Sequence, residues 1–241
     1  MKKAKKITST YPMINTLEEL QAVIDSGMNG IYSTLNFDLF EKLEYNRGED
    51  NSIDPSKLRE FEKIYVSGKY MPDAVQLLVN MHRQIIDGTH KNELHRRHNI
   101  PINFQFTKIP ELNSDDPVIL YEGVATYNAV NSKWNSKAHF RTALKLKLPL
   151  ALEIEKIRAE YCKEYRISKK HLSANRIYSI LSHDKARLES NMVTVKDYAQ
   201  TDLIDHVSDP AFKTEMDFVC NVLKKLEDWN EVYELTAKIT P

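Results

Sequence analysis

The chain has 241 residues with 34 Lys+Arg against 34 Asp+Glu, so the formal charge is zero and the molecule as a whole carries no excess that seeks a polyanion. Hydrophobic residues at 41% and charged residues at 28% are globular values, which exclude a disordered tail or a collagenous repeat. Six glycines, at 27, 30, 48, 68, 88 and 123, never fall into GxGxxG or GxxxxGK[ST] spacing, so the usual Rossmann and Walker-type enzymes are set aside.

Two cysteines, Cys162 and Cys220, sit in helix-like segments without a CxxC pairing. That pattern fits a reducing compartment, with no thiolate zinc site and the cytoplasm as the expected location. The basic start Met1-Lys2-Lys3-Ala4-Lys5-Lys6 is not followed by an apolar run, and no stretch is apolar enough to span a bilayer, so no membrane partner is expected.

In chain order, Leu17 to Ile24 after Asn15-Thr16 predicts a short helix closed by Gly27 and Gly30. A second helix is expected over about Thr34 to Leu43, a polar loop over Glu44 to Asp54, and a helix from Asp54-Pro55 to about Ser67. Ala74–Val79 and Arg83–Ile86 read as two strands of a hairpin, Thr89–His98 as a helix, and Ile100–Phe106 as a half-buried strand. A loop over Pro110 to Asp116 precedes a helix from Pro117 to about Val130. Beyond it, helices are predicted at about 137–147, 150–165, 168–181, 194–206 and 211–237. The fold class is α+β, with an amino-terminal domain over 1–130 and an all-helical domain over 131–241.

Charge is unevenly distributed along this plan. Residues 1–130 hold 15 basic and 18 acidic side chains, residues 131–187 hold 14 and 5, and residues 188–241 hold 5 and 11. The middle block is therefore the expected phosphate-facing surface, unless the acidic carboxy-terminal segment packs on it and neutralises it. Lys169, Lys170, Asn175 and Arg176 lie after a break at Arg166-Ile167-Ser168, where a helix-turn-helix would present them to DNA. A two-helix packing corner with a basic exposed side accounts for the same residues.

The most informative stretch is Ile85-Ile86-Asp87-Gly88-Thr89-His90-Lys91. A strand that runs through Asp-Gly directly into a helix leaves backbone N–H groups at the helix start, where the dipole favours an anion and glycine allows close approach. His90 and Lys91 would add donors, and Asp87 would orient a side chain or hold a metal. His90, His95 and His98 do not form one metal site, because His90 and His98 are separated by about 12 Å at 1.5 Å per residue.

These residues resemble the second motif of the ParB N-terminal and sulfiredoxin-like superfamily, apolar-apolar-Asp-Gly-x-His-Arg, with Lys91 in place of arginine. Tyr45-Asn46-Arg47, before the helix at 55–67, is similar to that superfamily's Asn-x-Arg element, and the likeness extends over about residues 34–107. Tyr127–Trp134, His139-Phe140 and the long helix to Ser168 are similar to ParB-like proteins of phages and mobile elements that carry a helical tail. The resemblance implies a ParB/sulfiredoxin-like amino-terminal domain with Arg47, Gly88, Thr89, His90 and Lys91 holding a nucleotide or phosphate. CTP, ATP or ADP with Mg2+ are the cofactors it suggests. It also brings Glu49 near Asp87 as the pair for any catalysis. Thr89 stands where sulfiredoxins have their cysteine, which excludes that chemistry, and the Gly-Glu-Arg-Arg run of ParB is absent.

The functional expectation is a DNA-associated protein that binds a nucleotide or phosphate at Asp87–Lys91 and DNA through the basic block. The alternatives are a nucleotide-dependent phosphotransferase or hydrolase at the same pocket, and a non-catalytic protein-interaction module. The oligomeric state is left open, a homodimer included.

Overall fold

The computed structural model describes residues 9–46, 49–50, 53–71, 74, 77–128, 134–183 and 193–239, and it is a mixed α+β structure. The chain divides into two compact units between Val124 and Ala125.

In the first unit, α1 (Leu17–Asp25) begins at a capping box in which the Thr16 hydroxyl accepts from the Glu19 N–H and Glu19 bonds back to Thr16. Its Leu20 and Val23 are buried against the sheet. The strands are β1 (Tyr32–Thr34), β2 (Glu41–Lys42), β5 (Leu77–Val79), β6 (Gln84–Asp87) and β7 (Ile102–Phe106), in the order β1-β7-β5-β6-β2. β1 pairs antiparallel with β7, and β5 pairs parallel with β7. β5 and β6 are antiparallel with a register shift at Leu78/Val79, and β2 runs parallel to β6. β3 (Tyr45–Asn46) and β4 (Glu49–Asp50) form a separate two-stranded ribbon inside the segment expected to be a loop.

The expected helix over 34–43 does not form. Thr34 ends β1, a 3₁₀ turn covers Phe37–Leu39 with the Asn36 side chain accepting from the Asp38 N–H, and β2 follows. Phe37, Leu39 and Phe40 are all buried, a near-continuous apolar run that a one-sided surface helix would not satisfy.

Ile85 and Ile86 are successive strand residues on opposite faces, and both are buried, so β6 is covered on both sides. Phe104 is fully buried and meets Phe40 edge-on with ring centroids 4.7 Å apart. Burial of side chains of this size contributes about 1.5–3 kcal/mol each. Helix α2 (Pro55–Val66) starts at the Asp54 cap with proline in its first turn, and α3 (Thr89–His98) connects β6 to β7. Helix α4 (Pro117–Tyr127) contains the division between the units.

The second unit is helical: α5 (Ser136–Lys145), α6 (Pro149–Tyr165), α7 (Ala174–Ser182) and α8 (Pro210–Ile239). Leu150, Ile154, Leu172, Ile177 and Tyr198 are among its fully buried or nearly fully buried core residues. Two expectations need correction. The helix expected from 168 starts at Ala174, because Arg166 takes a left-handed conformation that ends α6 and the Ser168 hydroxyl accepts from the Lys170 N–H. The connection from Arg166 to Ser173 is longer than the roughly 3–4-residue turn of a helix-turn-helix.

The helix expected over 194–206 is instead two 3₁₀ segments, Asp197–Ala199 and Asp202–Ser208. There the Asp197 carboxylate accepts from both the N–H and the hydroxyl of Thr194, a local alternative to helical bonding.

Among the described residues no helix is long and apolar enough to cross a membrane.

Candidate functional site

The start of α3 is built as its sequence demands. Gly88 has φ +101°, a left-handed conformation that favours glycine, and it occupies the cap position without any side-chain cap bond to the helix. The Asp87 carboxylate instead accepts from the Gly88 N–H at 2.8 Å. The first-turn N–H groups of Thr89, His90 and Lys91 thus precede the first intrahelical bond, which runs from Asn92 N–H to Gly88 O at 2.9 Å. Gly88 is buried, Asp87 is exposed, and Thr89, His90 and Lys91 are half-buried.

His90 ties this turn to α2. Its Nε2 accepts from the Asp54 backbone N–H at 3.0 Å, which fixes the neutral ring with Nδ1 as the remaining donor. Partial burial lowers its pKa first, Lys57 and Lys42 lower it further, and Asp54 opposes them. Two lysines of separate elements are therefore close enough to act on the same imidazole that sits in the first turn of α3.

Farther along α3 the histidines and arginines are structural. His95 is fully buried, its Nδ1 bonds to Pro101 O and its Nε2 to the Tyr70 hydroxyl, each at 2.8 Å. Burial holds its pKa down at about 4. Arg96 pairs with Asp38 at 2.9 Å, and Arg97 bonds Glu93 and Glu62.

Arg47 lies outside the described residues. Glu49 is described only as a residue of β4, paired in register with Asn46, so its carboxylate is not placed relative to Asp87.

In the helical unit, Lys169, Lys170 and Asn175 line one cleft of about 730 Å3, together with Lys137, Arg141 and Arg158. Arg176 bonds through its backbone N–H to the Ser173 cap and is not among the cleft residues. Among the described residues Glu155 is the single carboxylate on the cleft wall, against five lysines and arginines. It bridges Lys169 Nζ at 2.7 Å and Arg158 Nη1 at 3.1 Å. Burial alone would raise the Glu155 carboxyl, but hydrogen bonds and charge from Lys169 and Arg158 outweigh it and leave the pKa below the ordinary value.

Arg158 also donates to Leu172 O and Lys169 O, so it holds the loop that carries the lysines. The Asn175 side chain accepts from the Tyr198 hydroxyl at 3.3 Å.

The acidic carboxy-terminal segment does meet part of the basic block. Glu227 accepts from Ser168 N–H and pairs with His171, and Asp217 accepts from the Tyr165 hydroxyl. No described residue of that segment lines the cleft.

Lys137, Arg158 and Glu155 escaped sequence reasoning because they are scattered over two helices. The available signals were the caps Asn135 and Ser173, whose side chains accept from Ala138 and Arg176 N–H and mark two helix starts beside basic residues. No protein-family model, curated protein or solved structure matches the chain.

Proposed function

We propose that this chain is a DNA-associated protein of the ParB/sulfiredoxin-like kind that binds the phosphate of a nucleotide at the start of α3 and DNA through its basic helical unit. The observation that carries the reading is the Asp87-Gly88-Thr89-His90-Lys91 turn. A left-handed glycine opens a helix without a side-chain cap, and a neutral histidine in the first turn keeps one ring donor. A helix start of this kind presents N–H groups and the positive end of the dipole to an anion, and Lys91, Lys57 and Lys42 add charge around it. The order β6, left-handed glycine, α3, β7 accords with the motif resemblance, which names a nucleotide as the anion.

DNA binding is supported by the basic block over 131–187 and by Lys169 and Lys170 in the lining of a cleft whose described charged residues are five cations and one carboxylate. Contacts come from the loop before α7 and from its first turn, not from a recognition helix after a short turn.

Two measurements test the two halves. A thermal-shift panel of CTP, ATP, ADP and GTP with Mg2+ is expected to raise the melting midpoint of the wild type for at least one nucleotide. The rise should fall away in His90→Ala; absence of any shift removes the nucleotide reading. Binding to a duplex should weaken with salt along a log–log slope of several and be lost in Lys169→Glu/Lys170→Glu. Unchanged binding by that variant removes the helical block as the DNA contact.

A further inference from the structure

We infer that the cleft in the helical unit is a second anion site, one that takes a phosphorylated small molecule with at least two negative charges. It is distinct from the α3 turn, since every described residue lining it falls within Asn135 to Asn175.

Size is the first ground. A volume of about 730 Å3 falls within the roughly 300–1,000 Å3 range of small-molecule pockets.

Charge is the second. Lys137 and Arg141 on α5, Arg158 on α6, and Lys169 and Lys170 on the following loop line it from three parts of the chain, with Glu155 the one opposing carboxylate among the described residues. Glu155 already occupies Arg158 and Lys169. The ammonium groups of Lys137 and Lys170 have no carboxylate partner among the described residues, so two cations, one on α5 and one on the loop before α7, remain for a ligand. Several like charges held at one concave wall raise the local potential for an anion.

Backbone geometry adds to this. The lining includes Ser136 and Lys137 in the first turn of α5 and Ala174 and Asn175 in the first turn of α7. Their N–H groups precede the first intrahelical bonds, and the positive ends of two helix dipoles therefore meet the same cavity. Phe140 and Leu144 supply an apolar wall. A phosphate at the cationic side with a flat or apolar moiety against Phe140 satisfies both halves of the lining; inorganic pyrophosphate and a nucleoside diphosphate share the charged half.

Of the four residues assigned to DNA, Lys169, Lys170 and Asn175 also line the cleft, so ligand and DNA are expected to compete, whereas Lys137 is not one of the four and Arg176 does not line the cleft.

The test is hydrogen exchange by mass spectrometry on the full chain with millimolar pyrophosphate, with ADP, and with a duplex, each without Mg2+. Pyrophosphate, ADP or both should slow exchange saturably in peptides over 135–144 and 169–176. The Lys137→Glu variant should weaken that protection about tenfold, which corresponds to about 1.4 kcal/mol. His90→Ala and Arg176→Ser should leave it unchanged. Protection by both ligands identifies phosphoryl chemistry, and protection by ADP alone assigns the apolar wall a role.

Protection confined to residues 87–92 would overturn the second site while leaving the α3 reading intact. Protection by the duplex with none from either small anion would overturn it in favour of a DNA backbone. Wild-type protection that persists in Lys137→Glu, with an unchanged melting midpoint, would overturn it as well.

Discussion

His90 Nε2 accepts the backbone N–H of Asp54 at 3.0 Å, so the first turn of α3 and the cap of α2 share one hydrogen bond. The bond settles the ring's tautomer and brings the starts of two helices to one imidazole. In His90→Ala the Asp54 N–H loses its acceptor. We expect a loss of about 0.5–1.5 kcal/mol of stability by urea unfolding, with water replacing the ring at this exposed end. A loss above about 3 kcal/mol would show that His90 carries packing beyond this bond.

His95 makes stability depend on pH. Its pKa is about 4 in the fold, where burial disfavours the cation, against an ordinary 6.5. Between those values the unfolded chain binds the proton and the folded chain does not, so stability is full above pH 6.5 and is lost as pH falls toward 4. At pH 5 the loss from this residue should be about 2 kcal/mol. Unfolding free energies at pH 7 and pH 5 for wild type and His95→Gln check it, and equal pH dependence in both proteins would refute the assignment.

Gly123 lies in α4 where an added Cβ would stand 2.9 Å from the Glu111 Cβ and 3.2 Å from its carbonyl carbon. Alanine would gain about 1 kcal/mol of helix propensity and lose about 1–3 kcal/mol to overpacking against backbone. Gly123→Ala is therefore expected to lower the melting midpoint. A rise would mean that the turn at Pro110–Asn113 yields readily.

Glu155 restrains the cationic cleft. Glu155→Gln removes the carboxylate between Lys169 and Arg158, frees one positive charge, and should tighten duplex binding several-fold with a steeper salt slope by about one. The same change should lower stability. Because the Glu155 carboxyl is held below its ordinary pKa, its contribution is present above pH 4.5 and disappears as pH falls through the folded value. Weaker binding by the variant would show that the loop needs Glu155 in order to present its lysines.

Much of the path to the α3 site was legible because local chemistry decides it. Asp87-Gly88 between an apolar strand and a polar helix allows few alternatives, and β6, α3 and β7 follow as expected. The segments at 34–43 and 194–206 were misread because tertiary burial prevails there over periodicity. Phe37, Leu39 and Phe40 all enter the core, and Val195, Tyr198 and Leu203 are buried within a segment turned by Asp197. The cleft was legible only as an excess of charge over 131–187. Its shape depends on where α5, α6 and the 166–173 loop meet, which no local pattern contains.

The most direct measurement is a 15N-resolved NMR titration of the backbone amides of Thr89, His90 and Lys91 with CTP, ATP or ADP and Mg2+. The account predicts saturable downfield shifts of these amides as a phosphate accepts their N–H groups, greatly reduced in His90→Ala. Saturable nucleotide binding that leaves all three amides unmoved would contradict it.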